Sequence, residues 1–138
     1  MNDPSHPRIL LVYDGSSVGE RALRVAIDEA LRRAAAITVL CVLPPRLWRA
    51  KRGQFEIPPD KHDEGFAKEQ LSRARASCSE ARVRCDPRIR TGPPAAVISE
   101  EAAGHDLIVI GSRPSSTGSP MLATLIHVPD GCELVAVP

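Results

Sequence analysis

Two apolar runs, Ile9-Leu10-Leu11-Val12 and Leu107-Ile108-Val109-Ile110, end abruptly in small and polar residues. An unbroken apolar run suits a strand buried on both faces, as in a parallel sheet covered by helices. The residues just past such strands, Tyr13-Asp14-Gly15-Ser16 and Gly111-Ser112, lie where open α/β sheets bind ligands. Ser16 or Ser17 can cap a following helix, and Glu20 completes a Ser-x-x-Glu capping box with Ser17. The chain therefore offers two strand ends that can share one crevice.

The rest of the chain reads as alternating strand and helix. After a first strand at 8–13, a helix over 17–33 carries an apolar stripe of Leu23, Ala26, Ile27, Ala30, Leu31 and Ala34. The β-branched run Ile37 to Leu43 makes a second strand, stopped by Pro44-Pro45. A loop is expected to about Pro59. It contains the basic cluster Arg46-Leu47-Trp48-Arg49-Ala50-Lys51-Arg52, either solvated or a lid that contacts phosphate or a partner. A second helix over 60–81 has a stripe of Ala67, Leu71, Ala74, Cys78 and Ala81, with Gly65 as a local weakness. The third strand, 83–90, carries charges that suit a sheet edge.

Gly92-Pro93-Pro94 opens a third helix, and Gly104 stands where a capping glycine belongs. A fourth strand follows at 107–110. Ser119-Pro120 starts a short last helix built on Met121, Leu122, Leu125, Ile126 and Val128. A final strand runs from Cys132 to Val137. Five strands and four helices in alternation imply a parallel doubly wound α/β sheet with helices on both faces. The expected organisation is a flexible N-terminus at 1–7 and one domain at 8–138.

Composition removes several function classes. The formal charge of +1 does not argue for nucleic acid, and the aromatics Tyr13, Trp48, Phe55 and Phe66 are too few for a base-stacking platform. No apolar stretch reaches bilayer-spanning length, so no membrane contact is expected. Met1 to Pro7 lacks a basic n-region and an apolar h-region, so a cytoplasmic location is expected. Cys41, Cys78, Cys85 and Cys132 have no CxxC spacing and read as reduced structural thiols, with no metal site expected. No Walker loop, Gly-x-Ser-x-Gly elbow or Cys/His nucleophile pairing is present, so no catalytic residue is assigned and an enzyme is the less favoured reading.

In order and spacing, Val12-Tyr13-Asp14-Gly15-Ser16, Thr38-Val39-Leu40-Cys41-Val42, Gly92-Pro93-Pro94 and Asp106 to Arg113 resemble the universal stress protein family. The resemblance covers about residues 8 to 137 and implies the strand order 3-2-1-4-5. It also implies an adenine-nucleotide site. Asp14 and Val42 would stand at the base, Gly111 at the ribose, and Gly118-Ser119 at the phosphates, with Tyr13 and Ile110 flanking them. Nucleotide-binding members carry Gly-x-x-Gly after the fourth strand, then a Gly-Ser or Gly-Thr pair opening the last helix. Here Gly111 matches, but Pro114 stands at the second glycine. Gly118-Ser119 matches only across a shortened loop. Without a deletion the pair falls on Thr124-Leu125, a poor helix start.

Proline removes an N–H donor, and a shorter loop has fewer donors for a triphosphate. The leading expectation is a regulatory or binding module in which ATP or AMP binding is weak or lost. The alternative is a competent ATP binder with slow hydrolysis, in which the Arg46–Arg52 cluster and the Ser-rich loop replace the missing contacts. A homodimer through the last strand is also expected. That strand is an apolar edge, and such pairing is common in the resembled family. The stress signal and any regulatory protein partner are not legible.

Overall fold

The structure is a computed structural model describing residues 7–43, 46–50, 53–57, 60–111 and 125–138. Its elements in chain order are β1 (Arg8–Val12), α1 (Ser17–Arg33), β2 (Ala36–Leu43), β3 (Arg46–Ala50), β4 (Gly53–Ile57), α2 (Lys61–Glu80), β5 (Cys85–Thr91), α3 (Pro94–Glu101), β6 (Leu107–Gly111) and β7 (Glu133–Val137). Five of these strands form a parallel sheet in the order β5-β2-β1-β6-β7. This is the expected 3-2-1-4-5 order.

β1 is the spine. Leu11 pairs in register with Val39 on one side and with Val109 on the other. Side chains alternate across the sheet. Ile9, Leu11, Ile37, Val39, Leu107 and Val109 face one core, covered by Ala22, Leu23, Ala26 and Ala30 of α1 and by Ala67, Leu71, Ala74 and Cys78 of α2. Leu10, Leu40, Ile108 and Ile110 face a second core, covered by Val97 and Ile98 of α3 and by Ile126. Burial on both faces explains why these strands lack polar alternation. Thr38 is the exception: its Oγ1 lies 2.8 Å from Nε2 of the buried His105.

β5 closes one edge, as its charges suggest. Pro87, which cannot donate to a ladder, sits within it opposite Val39. Arg88 and Arg90 reach Glu101 of α3 at 3.0 and 3.1 Å.

Several local expectations change. The loop expected over 46–57 holds an antiparallel hairpin, β3 with β4, in which Trp48 is the register partner of Phe55. The cap of α1 is Ser16, whose hydroxyl accepts from Gly19 N–H, so no Ser17–Glu20 capping box forms. The box lies instead on α2, between Asp60 and Asp63. The α1 stripe is Val18, Gly19, Ala22, Leu23, Ala26 and Ala30, while Leu31 is 57% exposed because it falls past the edge of the packed face. Residues 126–128 are not helical; the rest of the expected last helix lies outside the described residues. Among the described residues, no helix is long and apolar enough to cross a membrane.

Gly65 does not interrupt α2. It is exposed, and a Cβ built there meets nothing within 4 Å. The glycine therefore contributes only backbone entropy to the unfolded chain. Gly65→Ala is expected to raise stability by about 0.5–1 kcal/mol in urea denaturation. A loss of stability would show that this position has a contact or a conformation that the fold does not reveal.

Candidate functional site

Because β2, β1 and β6 are parallel neighbours, their C-terminal ends share one sheet edge. The chain leaves β1 toward β2 and enters β6 on the other side, so the order reverses between β1 and β6. Open α/β sheets form a crevice at such a point. Asp14 follows the end of β1 and Gly111 ends β6 at this point, with Val42 near the end of the neighbouring β2.

The turn after β1 is built by a short polar relay. Tyr13 N–H donates to Leu40 O at 2.9 Å, which holds the end of β1 to β2. Gly15 then takes φ +78°, a left-handed conformation that glycine adopts without penalty. Asp14 Oδ1 accepts from Ser16 N–H at 2.9 Å and from Ser16 Oγ at 2.6 Å. Ser16 Oγ accepts in turn from Gly19 N–H at 3.0 Å. One carboxylate oxygen thus fixes the residue that caps α1, and the exposed Asp14 side chain is held rather than left to rotate. Among the described residues, the other oxygen, Oδ2, accepts no hydrogen bond.

Two glycines keep this region compact. A Cβ on Gly19 would stand 2.6 Å from Asp14 Oδ1. A Cβ on Gly111 would stand 2.5 Å from Val18 Cγ1, so Gly111 lets the end of β6 pack against the first turn of α1. This packing need exists with or without a ligand. Gln70 of α2 closes the turn from above. It is 6% exposed, its side chain occupies the space a Cβ on Gly15 would need, and among the described residues its Oε1 has no hydrogen-bond partner.

The sheet separates the remaining candidates. The Tyr13 ring, 1% exposed, lies in the core under α1 and α2, and its hydroxyl donates to the Glu20 carboxylate. Burial, then that bond and the Glu20 charge, push its phenol far above the ordinary range. Val42 and Ile110 lie on the opposite face with α3. Val42 is half-buried, and Ile110 is 3% exposed. Asp14, Val42 and Gly111 thus share an edge, while Tyr13 supports it from beneath. Gly118 and Ser119 lie outside the described residues.

Sequence reasoning named Ser16 at the strand end and as a possible cap, but missed Gly19 and Gln70 as parts of the site. The signal for Gly19 is Asp14-Gly15-Ser16, a side chain placed to bond the backbone two residues on, followed by a glycine three residues after the cap. Nothing local marks Gln70, which reaches the turn from another helix. Among the described residues, no group of three or more His, Cys, Asp or Glu could hold a metal ion.

Comparison with known proteins agrees with this geometry. The family model described as the universal stress protein family matches residues 6–125. No curated protein sequence matches the chain. Among solved structures, a universal stress protein from Archaeoglobus fulgidus is 23% identical, with a TM-score of 0.71 over 96% of this chain and 98% of that one. A family protein from Burkholderia pseudomallei is 21% identical, with a TM-score of 0.70 over 99% and 98% of the two chains. An Arabidopsis thaliana family protein with AMP bound is 19% identical, with a TM-score of 0.63 over 95% and 90%. With the family model spanning most of its length, and with the fold shared, the chain belongs to the universal stress protein family.

Proposed function

We propose that the chain is a regulatory binding module whose adenine-nucleotide site is retained at the base end and weakened at the phosphate end. The observation that carries this reading is the held carboxylate of Asp14, with Oδ2 accepting nothing among the described residues, where the strand order reverses between β1 and β6. Such a carboxylate accepts hydrogen bonds from amino and hydroxyl groups, both of which adenosine carries. Three solved relatives support the ligand class. They are the Archaeoglobus fulgidus protein in complex with dAMP, a universal stress protein in complex with cAMP, and the Arabidopsis protein with AMP bound.

The weakened phosphate end rests on Pro114 and the shortened alignment to Gly118-Ser119. Each lost charge-assisted N–H contact removes roughly 1.5–3 kcal/mol. Two such losses weaken binding by about two to four powers of ten. The alternative, a competent ATP binder with slow hydrolysis, draws support from the β3–β4 hairpin. It follows β2 in the chain, which ends at the same edge, and carries Arg46 and Arg49 on β3. The four free thiols suit the reducing cytoplasm, where we place the protein.

Calorimetric titration with AMP, ADP and ATP, with and without magnesium, separates the two readings. The proposal expects AMP to bind at least as well as ATP and magnesium to have little effect. Tight magnesium-dependent ATP binding that collapses in Ser119→Ala would establish the competent binder instead.

We further propose that two copies pair through β7. It is the outer strand of the sheet, with Leu134 and Val135 half-buried and Ala136 exposed. An apolar outer strand of this kind invites a second strand. Light scattering is expected to give twice the chain mass, and Val135→Lys to shift it to the monomer. A monomer mass across a wide concentration range would contradict this.

A further inference from the structure

At the opposite edge of the sheet, where the strands begin, lies a cavity of about 630 Å³. The starts of β1, β2 and β5 bound it, together with the end of α1. Among the described residues, Arg8, Arg82 and Arg84 line it, against the single carboxylate of Asp86. Cys85 lines it too and is half-buried. Behind Cys85, on the last turns of α2, Cys78 is 0% exposed. Each of these thiols shifts the other's proton affinity more than any other group does.

The connection between them explains the pairing. Ala81 caps α2, and Arg82 then takes φ +60°. Val83 N–H donates back to Cys78 O at 2.8 Å. The chain reverses within a few residues, so β5 starts beneath the helix it has just left. Cys85 packs against the core that contains Cys78.

We propose that Cys78 and Cys85 are a redox couple, in which a small carboxylate-bearing disulfide enters the arginine-lined cavity, is attacked by Cys85 and is discharged by Cys78. Cys85, as thiolate, attacks one sulfur of the small disulfide. A mixed disulfide forms, and one small thiolate leaves and takes up the proton that Cys85 gave up. Cys78 then loses its proton and attacks the Cys85 sulfur. The Cys78–Cys85 bond forms, and the second small thiolate departs as a thiol. The protein loses two electrons and two protons, and the small disulfide becomes two thiols.

The surroundings order the four cysteines. Neighbouring Cys78, and then Arg75, lower the Cys85 thiol, against the opposing effects of burial and Asp86. Cys78 is pushed up by its neighbour Cys85 and by burial, which suits a resolving thiol. Cys132 is pushed up by burial, Asp106 and Glu133. Cys41 is pushed up by burial and Asp14. Attack needs the thiolate and access, and Cys85 alone of the four combines a lowered thiol with a cavity.

The test treats the reduced full-length protein with oxidised glutathione, followed by acid quench and peptide mass mapping. The expected product lacks two hydrogens and links Cys78 to Cys85, with Cys85 reacting about tenfold or more faster than Cys132. Cys78→Ser is expected to stop at a stable glutathione adduct on Cys85. Arg75→Gln, an exposed change that spares the core, is expected to slow the reaction several-fold. Reaction first at Cys132, or a Cys85 adduct in the native protein that never resolves to the Cys78 link, would overturn the proposal. So would an unchanged rate in Arg75→Gln together with equal rates at Cys85 and Cys132.

Discussion

The fold depends on β1 being bonded on both sides and buried on both faces. Leu10 and Leu11, each 0% exposed, face opposite cores, and Leu11 is paired in register to β2 and to β6. A polar residue at either position would strand a group away from water. Placing β1 at the centre also places its C-terminal turn beside the end of β6, where the strand order reverses. The site and the core are thus consequences of one strand's position.

The turn itself shows how a site is held with few residues. Asp14 fixes Ser16, Ser16 caps α1 through Gly19, and Tyr13 ties the end of β1 to β2 while bonding Glu20 on the same helix. Glycines at 15, 19 and 111 let backbone and helix approach where a Cβ would collide with Gln70, Asp14 or Val18. Gly111 therefore has a structural role that does not require a ligand. Asp14 is better placed for the proposed nucleotide, since it is exposed and keeps one carboxylate oxygen available among the described residues.

What the sequence made legible follows from the strength of each constraint. Two-sided burial forces unbroken apolar runs, so β1, β2 and β6 could be read directly. The edge character of β5 was visible in Asp86, Pro87, Arg88 and Arg90. The β3–β4 hairpin was not, because the basic residues from Arg46 to Arg52 obscured the alternation of Gln54, Phe55, Glu56 and Ile57. Leu31 was misplaced because helical spacing does not reveal where the covering face ends. Of the site, strand-end residues were readable from position alone. Gln70 was not, since tertiary packing brings it to Gly15, and the Cys78–Cys85 contact depends on a chain reversal at Arg82 that no motif announces.

The central claim is that the crevice between β1 and β6 binds the nucleoside part of a nucleotide. Backbone amide NMR during an AMP titration tests it most directly. The account predicts saturating shifts at Asp14, Gly15, Ser16 and Gly111, with Arg82 to Asp86 at the opposite sheet edge unmoved. Saturating shifts confined to that opposite edge, with Asp14 and Gly111 unchanged, would contradict it.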